Sequence, residues 1–237
     1  MLNLELSDGT AEAIVATPGA GSGPGVLMFM DAFGLRPRIE ELAQRVAGWG
    51  YVVLAPNVFH RDGTVEELRP DGPPDWQAIA PRMGRLTTDR VEADIDAYVA
   101  ALEGLSQVAD GPIGVVGFCM GGRLAVRTAS RYPEEVAACA ALHTGGLVTT
   151  EDDSPHLGLG SARAAFLFGH ADNDRSMTPE QVETLGGALD AAGLEATNVI
   201  VPGAAHGYTM SDTPAWNEEA FEWAFAELHE LFDRTLH

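Results

Sequence analysis

Short apolar runs alternate with amphipathic stretches along this chain, and no other sequence feature restricts its fold as much. The run VLMFM, residues 26–30, is bounded by turn residues and predicts a buried strand, while residues 39–49 carry apolar side chains at helical spacing. Strands that alternate with helices form parallel β-α-β units, in which helices cover both faces of the sheet. The sequence therefore predicts an α/β protein with a mostly parallel central sheet and helices on both faces.

The same pattern of apolar residues predicts the individual strands and helices along the chain. The predicted strands are residues 2–6, 12–16, 26–30, 51–56, 113–116, 136–142, 164–168 and 197–201, and the predicted helices are residues 39–49, 88–105, 121–131, 179–192 and 216–236. The stretch 57–81 is rich in proline, glycine and aspartate and is predicted to be irregular, with one short helix. No linker or repeat divides the 237 residues, so we expect a single domain over residues 1–237.

The charge balance restricts the partners of this protein. The 14 basic residues are all arginine and face 35 acidic residues, which gives a net charge of −21. Such a charge repels phosphate backbones and anionic lipids, so neither a nucleic acid nor a membrane surface is expected as a partner. No apolar stretch reaches the roughly 20 residues that cross a bilayer, and neither a signal peptide nor a disulfide framework is recognisable. We expect a cytoplasmic protein with reduced thiols and a small-molecule partner.

One of the two cysteines, Cys119, lies in the segment VVGFCMGGR, where a predicted strand turns sharply into a predicted helix. Reactive groups of open α/β sheets gather at such strand ends, and glycines at Gly117 and Gly121 would relieve the crowding of the turn. The helix N-terminus favours a thiolate, and the N–H of Met120 could donate to an oxyanion. These features indicate a nucleophile, and the alternative is a small apolar residue at a tight turn. Cys139, in AACAAL, is expected in the core.

A thiol nucleophile requires a base and a carboxylate that orients the base. His206, in PGAAHGY, follows the last predicted strand and is the best placed of the seven histidines. The carboxylate should follow the preceding strand, where Asp172 and Asp174 both occur and where either could instead cap the turn. The order nucleophile–acid–histidine is the one expected of an α/β-hydrolase.

The remaining histidines fall into two groups. His60 and His143 come directly after strands and could line the substrate pocket, whereas the others are expected in solvent: His156, His170, His229 and His237. None of the histidines or cysteines has the clustered spacing of a zinc site. The sequence therefore implies neither a metal nor an organic cofactor.

Five segments resemble the dienelactone hydrolase family, and the resemblance extends over nearly the full length: MDAFGLRP, YVVLAPNVF, GFCMGGR, GHADNDRSMTPEQ and PGAAHGYTM. The resemblance implies an α/β-hydrolase fold and the hydrolysis of esters or lactones by a Cys-His-Asp triad, here Cys119, His206 and an aspartate. Family members have an apolar residue three positions after the acid and a glutamate about six positions after it. That spacing favours Asp174 over Asp172.

The resemblance also assigns roles outside the triad. Asp31, in MDAFG, falls where the family carries a glutamate that modulates the thiol, and a turn or cap residue is the alternative. Ala32 would supply the second oxyanion N–H beside Met120. Met210 stands where dienelactone hydrolase has an arginine that holds the substrate carboxylate, so the dienelactone itself is a less favoured substrate. Other guanidinium groups could come from residues 57–81 and just beyond: Arg61, Arg82 and Arg85.

Two function hypotheses follow. The first is a carboxylic ester or lactone hydrolase of the carboxymethylenebutenolidase type, which works through a thioester on Cys119. The alternative is a non-catalytic protein that uses the α/β-hydrolase fold to bind a small molecule. Glutamine amidotransferases also place cysteine in Gly-x-Cys-x-Gly, but they need a downstream His-x-Glu, which this sequence lacks.

Overall fold

A computed structural model describes residues 1–69 and 75–237, which form two compact units, Met1–Asp110 and Gly111–His237. Strands alternate with helices in both units, so the α/β class predicted from the sequence is confirmed. That the chain forms a single domain stays a prediction. Within the described residues, no helix has both the length and the apolar character needed to span a membrane.

The described residues of the Met1–Asp110 unit form four strands: β1 (Leu2–Leu6), β2 (Gly9–Ala16), β3 (Gly25–Phe29) and β4 (Val52–Pro56). They lie in the order β1-β2-β4-β3, in which β2 is antiparallel to β1 and β4, and β3 is parallel to β4. The longest helices are α1 (Pro37–Ala47) and α4 (Thr88–Glu103). Every residue of β3 and β4 is buried, which explains why both strands are continuous apolar runs.

The segment 57–81 contains more helix than its composition predicted. Helix α2 (Val65–Leu68) begins after Thr64, which forms a capping box with Glu67. Helix α3 (Trp76–Gly84) begins after Asp75, whose carboxylate accepts the Gln77 N–H, and it continues past Pro81. The prediction of one short helix is therefore wrong, because local caps start two helices. Residues 70–74 of this segment lie outside the described residues.

The Gly111–His237 unit contains four parallel strands in the order of the chain: β5 (Ile113–Phe118), β6 (Val136–Leu142), β7 (Ala165–Ala171) and β8 (Ala196–Val201). Its α-helices are α5 (Gly121–Arg131), α6 (Pro179–Ala192) and α7 (Glu218–Thr235). A 3₁₀ helix, Pro155–Ser161, was not predicted. Because the strands are parallel, the loops that follow them emerge at one edge of the sheet.

Helix α7 supplies much of the core of this unit. It begins after Asn217, whose side chain accepts the Ala220 N–H, and it packs on β6 and β7. The four side chains predicted to face inward are all buried: Phe221, Phe225, Leu228 and Phe232. This packing fixes the sheet whose loops carry the residues described next.

Candidate functional site

Cys119 lies at the corner between β5 and α5. Its φ of +53° is in the left-handed region that residues other than glycine rarely adopt, and its N–H donates to the Leu142 carbonyl on β6 at 3.1 Å. A Cβ on Gly117 would lie 2.2 Å from the carbonyl oxygen of Gly121, so the strand and the helix approach too closely for any other residue there. The strained, crowded corner expected from the sequence is therefore present.

Backbone strain recurs along the same edge of the sheet. In residues 1–69 and 75–237, the non-glycine residues with positive φ are Cys119, His143 and Asn173, at +53°, +41° and +54°. They follow β5, β6 and β7 in turn. Such conformations cost free energy and persist mostly where function depends on them. The positive-φ residues thus lie together at the ends of three neighbouring strands.

His206, in the loop between β8 and α7, connects Cys119 to Asp174. Its Nε2 lies 3.1 Å from the Cys119 Sγ, and its Nδ1 lies 2.5 Å from the Asp174 Oδ2. The His206 side chain is one-third exposed, while that of Asp174 is 6 % exposed. The structure thus brings together the three residues that the sequence selected, in one hydrogen-bonded series.

The surroundings of His206 favour its charged form. Burial acts against the charge, but the hydrogen bond to Asp174 and the contact with Cys119 outweigh it and raise the pKa of His206 to about 10. These contacts therefore favour the imidazolium form of His206. A proton taken from the thiol would remain on this ring, next to the sulfur.

Ser176 binds the carboxylate of Asp174, and its hydroxyl oxygen also lies 3.4 Å from His206 Nδ1. Its N–H and its hydroxyl both donate to Asp174 Oδ1, at 2.8 and 2.6 Å. Burial raises the pKa of Asp174, but the hydrogen bonds from His206 and Ser176 outweigh this effect and lower the pKa to about 2. Ser176 was not predicted as a site residue, because a serine in a polar loop gives no signal of its partner.

Replacing Ser176 with alanine should reduce kcat/KM for an activated ester by about fivefold, which corresponds to about 1 kcal/mol, the typical net contribution of one hydrogen bond. The carboxyl pKa of Asp174 should rise, because one donor to its ionised form is lost. Steady-state kinetics and an NMR titration of Asp174 measure both changes. Arg175→Ala, at an exposed neighbouring position, is the control. A Ser176→Ala enzyme with the wild-type titration would contradict this role.

Asp172 has a different environment from Asp174. Its carboxylate accepts the Gly203 N–H at 2.9 Å, and its own N–H donates to the Ala204 carbonyl at 2.7 Å. It therefore tethers the loop after β8, which carries His206. Of the two candidate acids, Asp174 is the one hydrogen-bonded to His206.

Two histidines lie elsewhere than the sequence suggested. His143 is fully buried, so it does not line the substrate pocket; its Nε2 lies 2.7 Å from Thr209 Oγ1, and its ring packs edge-on against His206 with centroids 5.5 Å apart. Burial, followed by the charge of His206, lowers the pKa of His143, so the ring is neutral. His170, expected in solvent, is buried in β7 and bonded to Asn198 at 2.7 Å, because β7 extends further than predicted.

The two cysteines differ as expected. Cys139 is completely buried within β6, and this burial raises the pKa of its thiol. Cys119 is partly exposed at the edge of the sheet. Met120 is the N-cap residue directly before α5, where the N–H groups at the start of a helix have no partner within it and can bind a negative charge.

Asp31 and Ala32 belong to the Met1–Asp110 unit and follow β3. The Asp31 carboxylate pairs with the Arg36 guanidinium through two contacts of 2.6 and 2.9 Å, and it also accepts the Phe33 N–H. Both members of this pair are buried. The thiol-modulating role of Asp31 and the oxyanion role of Ala32 stay predictions.

Among the described residues, one group has the geometry to hold a metal ion: the ligand atoms of Asp8, His60 and Asp94 lie within 4.8 Å of one another. However, Arg61 donates two hydrogen bonds to Asp8 and two to Asp94. A cation at this position would have to displace the guanidinium. His60 and Arg61, expected to line the substrate pocket, are thus part of an ion-paired cluster.

Comparison with known proteins gives a consistent result. The sequence model of the dienelactone hydrolase family matches residues 11–236. A carboxymethylenebutenolidase of Pseudomonas sp. (strain P51) is 28 % identical over 220 residues, which cover 92 % of this chain and 87 % of that protein. Two crystal structures are similar to this chain, and each match covers all of this chain and 97 % of the other at 19 % identity. They are a dienelactone hydrolase-like promiscuous phosphotriesterase from metagenomic libraries (TM-score 0.83) and a dienelactone hydrolase from Anabaena variabilis (TM-score 0.69).

Proposed function

Because the chain belongs to the dienelactone hydrolase family, we propose that it hydrolyses carboxylic esters or lactones through a thioester on Cys119. The observation that carries this proposal is the hydrogen-bonded series Cys119–His206–Asp174. Each member has the residue type that its role requires: a nucleophile, a proton carrier and an anion that stabilises the charged carrier.

In the first half of the reaction, His206 holds the proton of the Cys119 thiol and the sulfur attacks the ester carbonyl. The negative oxygen that forms is stabilised by the N–H of Met120, at the positive end of α5. The C–O bond to the leaving group then breaks, and His206 gives its proton to the departing alkoxide. The products of this half are an alcohol and an acyl thioester.

In the second half, a water molecule attacks the carbonyl carbon of the thioester while the neutral His206 takes a proton from that water. The new negative oxygen occupies the same site, and the C–S bond breaks as the acid leaves. The electron pair of that bond returns to sulfur, and the proton stays on His206. Asp174 remains ionised throughout, because its pKa of about 2 lies far below neutral pH.

The proposal is tested by trapping the thioester. Wild type and the Cys119→Ala and Cys139→Ala variants are mixed with p-nitrophenyl esters and activated lactones, quenched in acid at short times and analysed by intact mass. We expect an acyl adduct that hydroxylamine removes in wild type and in Cys139→Ala, and no adduct in Cys119→Ala. Equal hydrolysis by wild type and Cys119→Ala would contradict the mechanism. An inactive wild type with a Cys119 inert to iodoacetamide would instead support the non-catalytic binding protein.

A further inference from the structure

His143 is a buried titratable residue beside the triad that the mechanism above does not use. It follows β6, and its ring packs edge-on against that of His206, with centroids 5.5 Å apart. Its Nε2 lies 2.7 Å from Thr209 Oγ1, and its ring also packs edge-on against Tyr208, with centroids 5.1 Å apart. His206, Tyr208 and Thr209 belong to one loop, between β8 and α7. A single side chain thus contacts this loop at three residues.

The backbone of His143 adds to this attachment. Its N–H donates to the Gly169 carbonyl on β7 at 2.8 Å, and the Tyr208 hydroxyl donates to the same carbonyl at 3.2 Å. The φ of His143 is +41°, a conformation that costs free energy in a residue other than glycine. The chain bears this cost at a position where the side chain and the N–H together restrain the loop that carries His206.

The contacts of His143 complete the restraints on His206. Asp172 tethers the loop before His206, and His143 holds it after His206, through Thr209. The His206 side chain is one-third exposed, so its ring is not fixed by burial alone. The hydrogen bond to Asp174 fixes one ring atom but leaves the tilt of the ring free, whereas packing against a second ring restricts that tilt.

The charge state of His143 is compatible with this contact. Because His206 carries a proton during the reaction, a positive charge on a ring packed against it would repel it. Burial and then the charge of His206 lower the pKa of His143, and the charge of Asp174 opposes them without outweighing them. The His143 ring is therefore neutral, and since it is fully buried it acts on the reaction only through its neighbours.

We propose that His143 is a positioning residue, which holds the His206 ring within hydrogen-bond distance of both Cys119 and Asp174; this inference rests on the proposed function. Acyl transfer requires His206 to pass one proton from the sulfur to the leaving group and to take another from water. The rate responds steeply to such geometry, because a displacement of about 1 Å can cost about 100-fold. Packing from the buried side keeps the ring aligned through both proton transfers.

Substitutions at His143 test this role. His143→Leu removes both the aromatic ring and the bond to Thr209, so kcat/KM for p-nitrophenyl acetate should fall by about 100-fold. His143→Phe keeps an aromatic ring and should lose only about five- to tenfold, the effect of one hydrogen bond. The control is His170→Phe, because His170 is also buried and bonded, to Asn198, but belongs to β7. Its kcat/KM should stay within about threefold of wild type.

A double variant separates positioning from folding. In Asp174→Asn the His206 ring has already lost its orienting partner, so adding His143→Leu should lower kcat/KM by less than about threefold. A further 100-fold loss in the double variant would show that His143 does not act through His206. Either that loss or a His143→Leu enzyme with the wild-type kcat/KM overturns the proposal.

Thr209 provides the test if circular dichroism shows that His143→Leu does not fold. Thr209→Val removes the hydroxyl that bonds to His143 and should lower kcat/KM by about fivefold. Thr209→Ser keeps a hydroxyl and should stay within about twofold of wild type. Equal values of kcat/KM for these two variants overturn the proposal.

Alkylation of Cys119 separates this proposal from the proposed function. The contact with His206 favours a negatively charged sulfur, so the rate with iodoacetamide at neutral pH should fall by about tenfold in His143→Leu, the effect of loosening a hydrogen bond to a charged group. It should stay at the wild-type value in His170→Phe. Both results are expected even if wild type hydrolyses no ester. An unchanged rate in His143→Leu overturns the positioning role alone, and a wild-type Cys119 that does not react contradicts both proposals.

Discussion

Replacing Asp174 with asparagine is expected to lower kcat/KM for an activated ester by about 10⁴-fold, the loss typical of a triad acid converted to an amide. The carboxylate contacts His206 Nδ1 at 2.5 Å and stabilises the imidazolium. An amide is neutral and can turn its NH₂ group towards Nδ1, which removes that stabilisation and favours the wrong tautomer. Steady-state hydrolysis of p-nitrophenyl acetate measures the loss.

Asp172→Asn is the matched control, because Asp172 lies two residues away in the same loop. Its carboxylate accepts the Gly203 N–H, and the amide oxygen of asparagine can accept the same bond. We expect kcat/KM within about threefold of wild type, as for substitutions that keep their contacts. Comparable losses in the two variants would mean that Asp174 is not the orienting acid.

The pH profile adds a signature that misfolding would not produce. In the proposed mechanism, His206 must be protonated to protonate the leaving alkoxide, and this protonated form is lost as pH rises through its pKa of about 10. For an alkyl ester, whose alkoxide must be protonated to leave, the alkaline limb of kcat/KM should therefore lie near pH 10 in wild type. Asp174→Asn removes a hydrogen bond that raises this pKa, so the limb should move to lower pH. Asp172→Asn should keep the wild-type limb.

Sequence patterns predicted several elements of the fold to the residue, and the reason is local. Helix α6 begins after Thr178, which forms a capping box with Gln181, and ends at Gly193 in the left-handed region. Helix α5 begins directly after the turn that carries Cys119, and the glycines of that turn indicated where the helix begins. Signals of this kind lie within a few residues of the boundary they set, so one sequence is enough to find them.

The structural features that the sequence did not predict depend on contacts between residues that are distant along the chain. β7 extends three residues beyond its predicted end, because the buried side chain of His170 forms a hydrogen bond with Asn198 on β8. His143 looked like a pocket residue, but the packing of Tyr208 and His206 around it removes it from solvent.

Replacing Gly117 with alanine is expected to lower the free energy of unfolding by about 3 kcal/mol or more, at the upper end of overpacking effects. The added Cβ would lie 2.2 to 2.5 Å from backbone atoms of Gly121 and Gly122, and backbone cannot rotate away as a side chain can. The corner that carries Cys119 must therefore shift, so activity should also fall. Chemical denaturation followed by circular dichroism measures the stability.

The control for this substitution is Gly187→Ala, in the exposed interior of α6. A Cβ there meets no atom within 4 Å, and alanine favours a helix over glycine, so we expect stabilisation by about 0.5–1 kcal/mol. The same substitution is therefore expected to lower the free energy of unfolding at Gly117 and to raise it at Gly187. At Gly117 the contact between backbones decides the outcome, whereas at Gly187 the chain entropy does. A Gly117→Ala protein as stable and active as wild type would show that the strand and the helix can separate at this corner. The placement of the Cys119 sulfur beside His206 would then not depend on the strained turn.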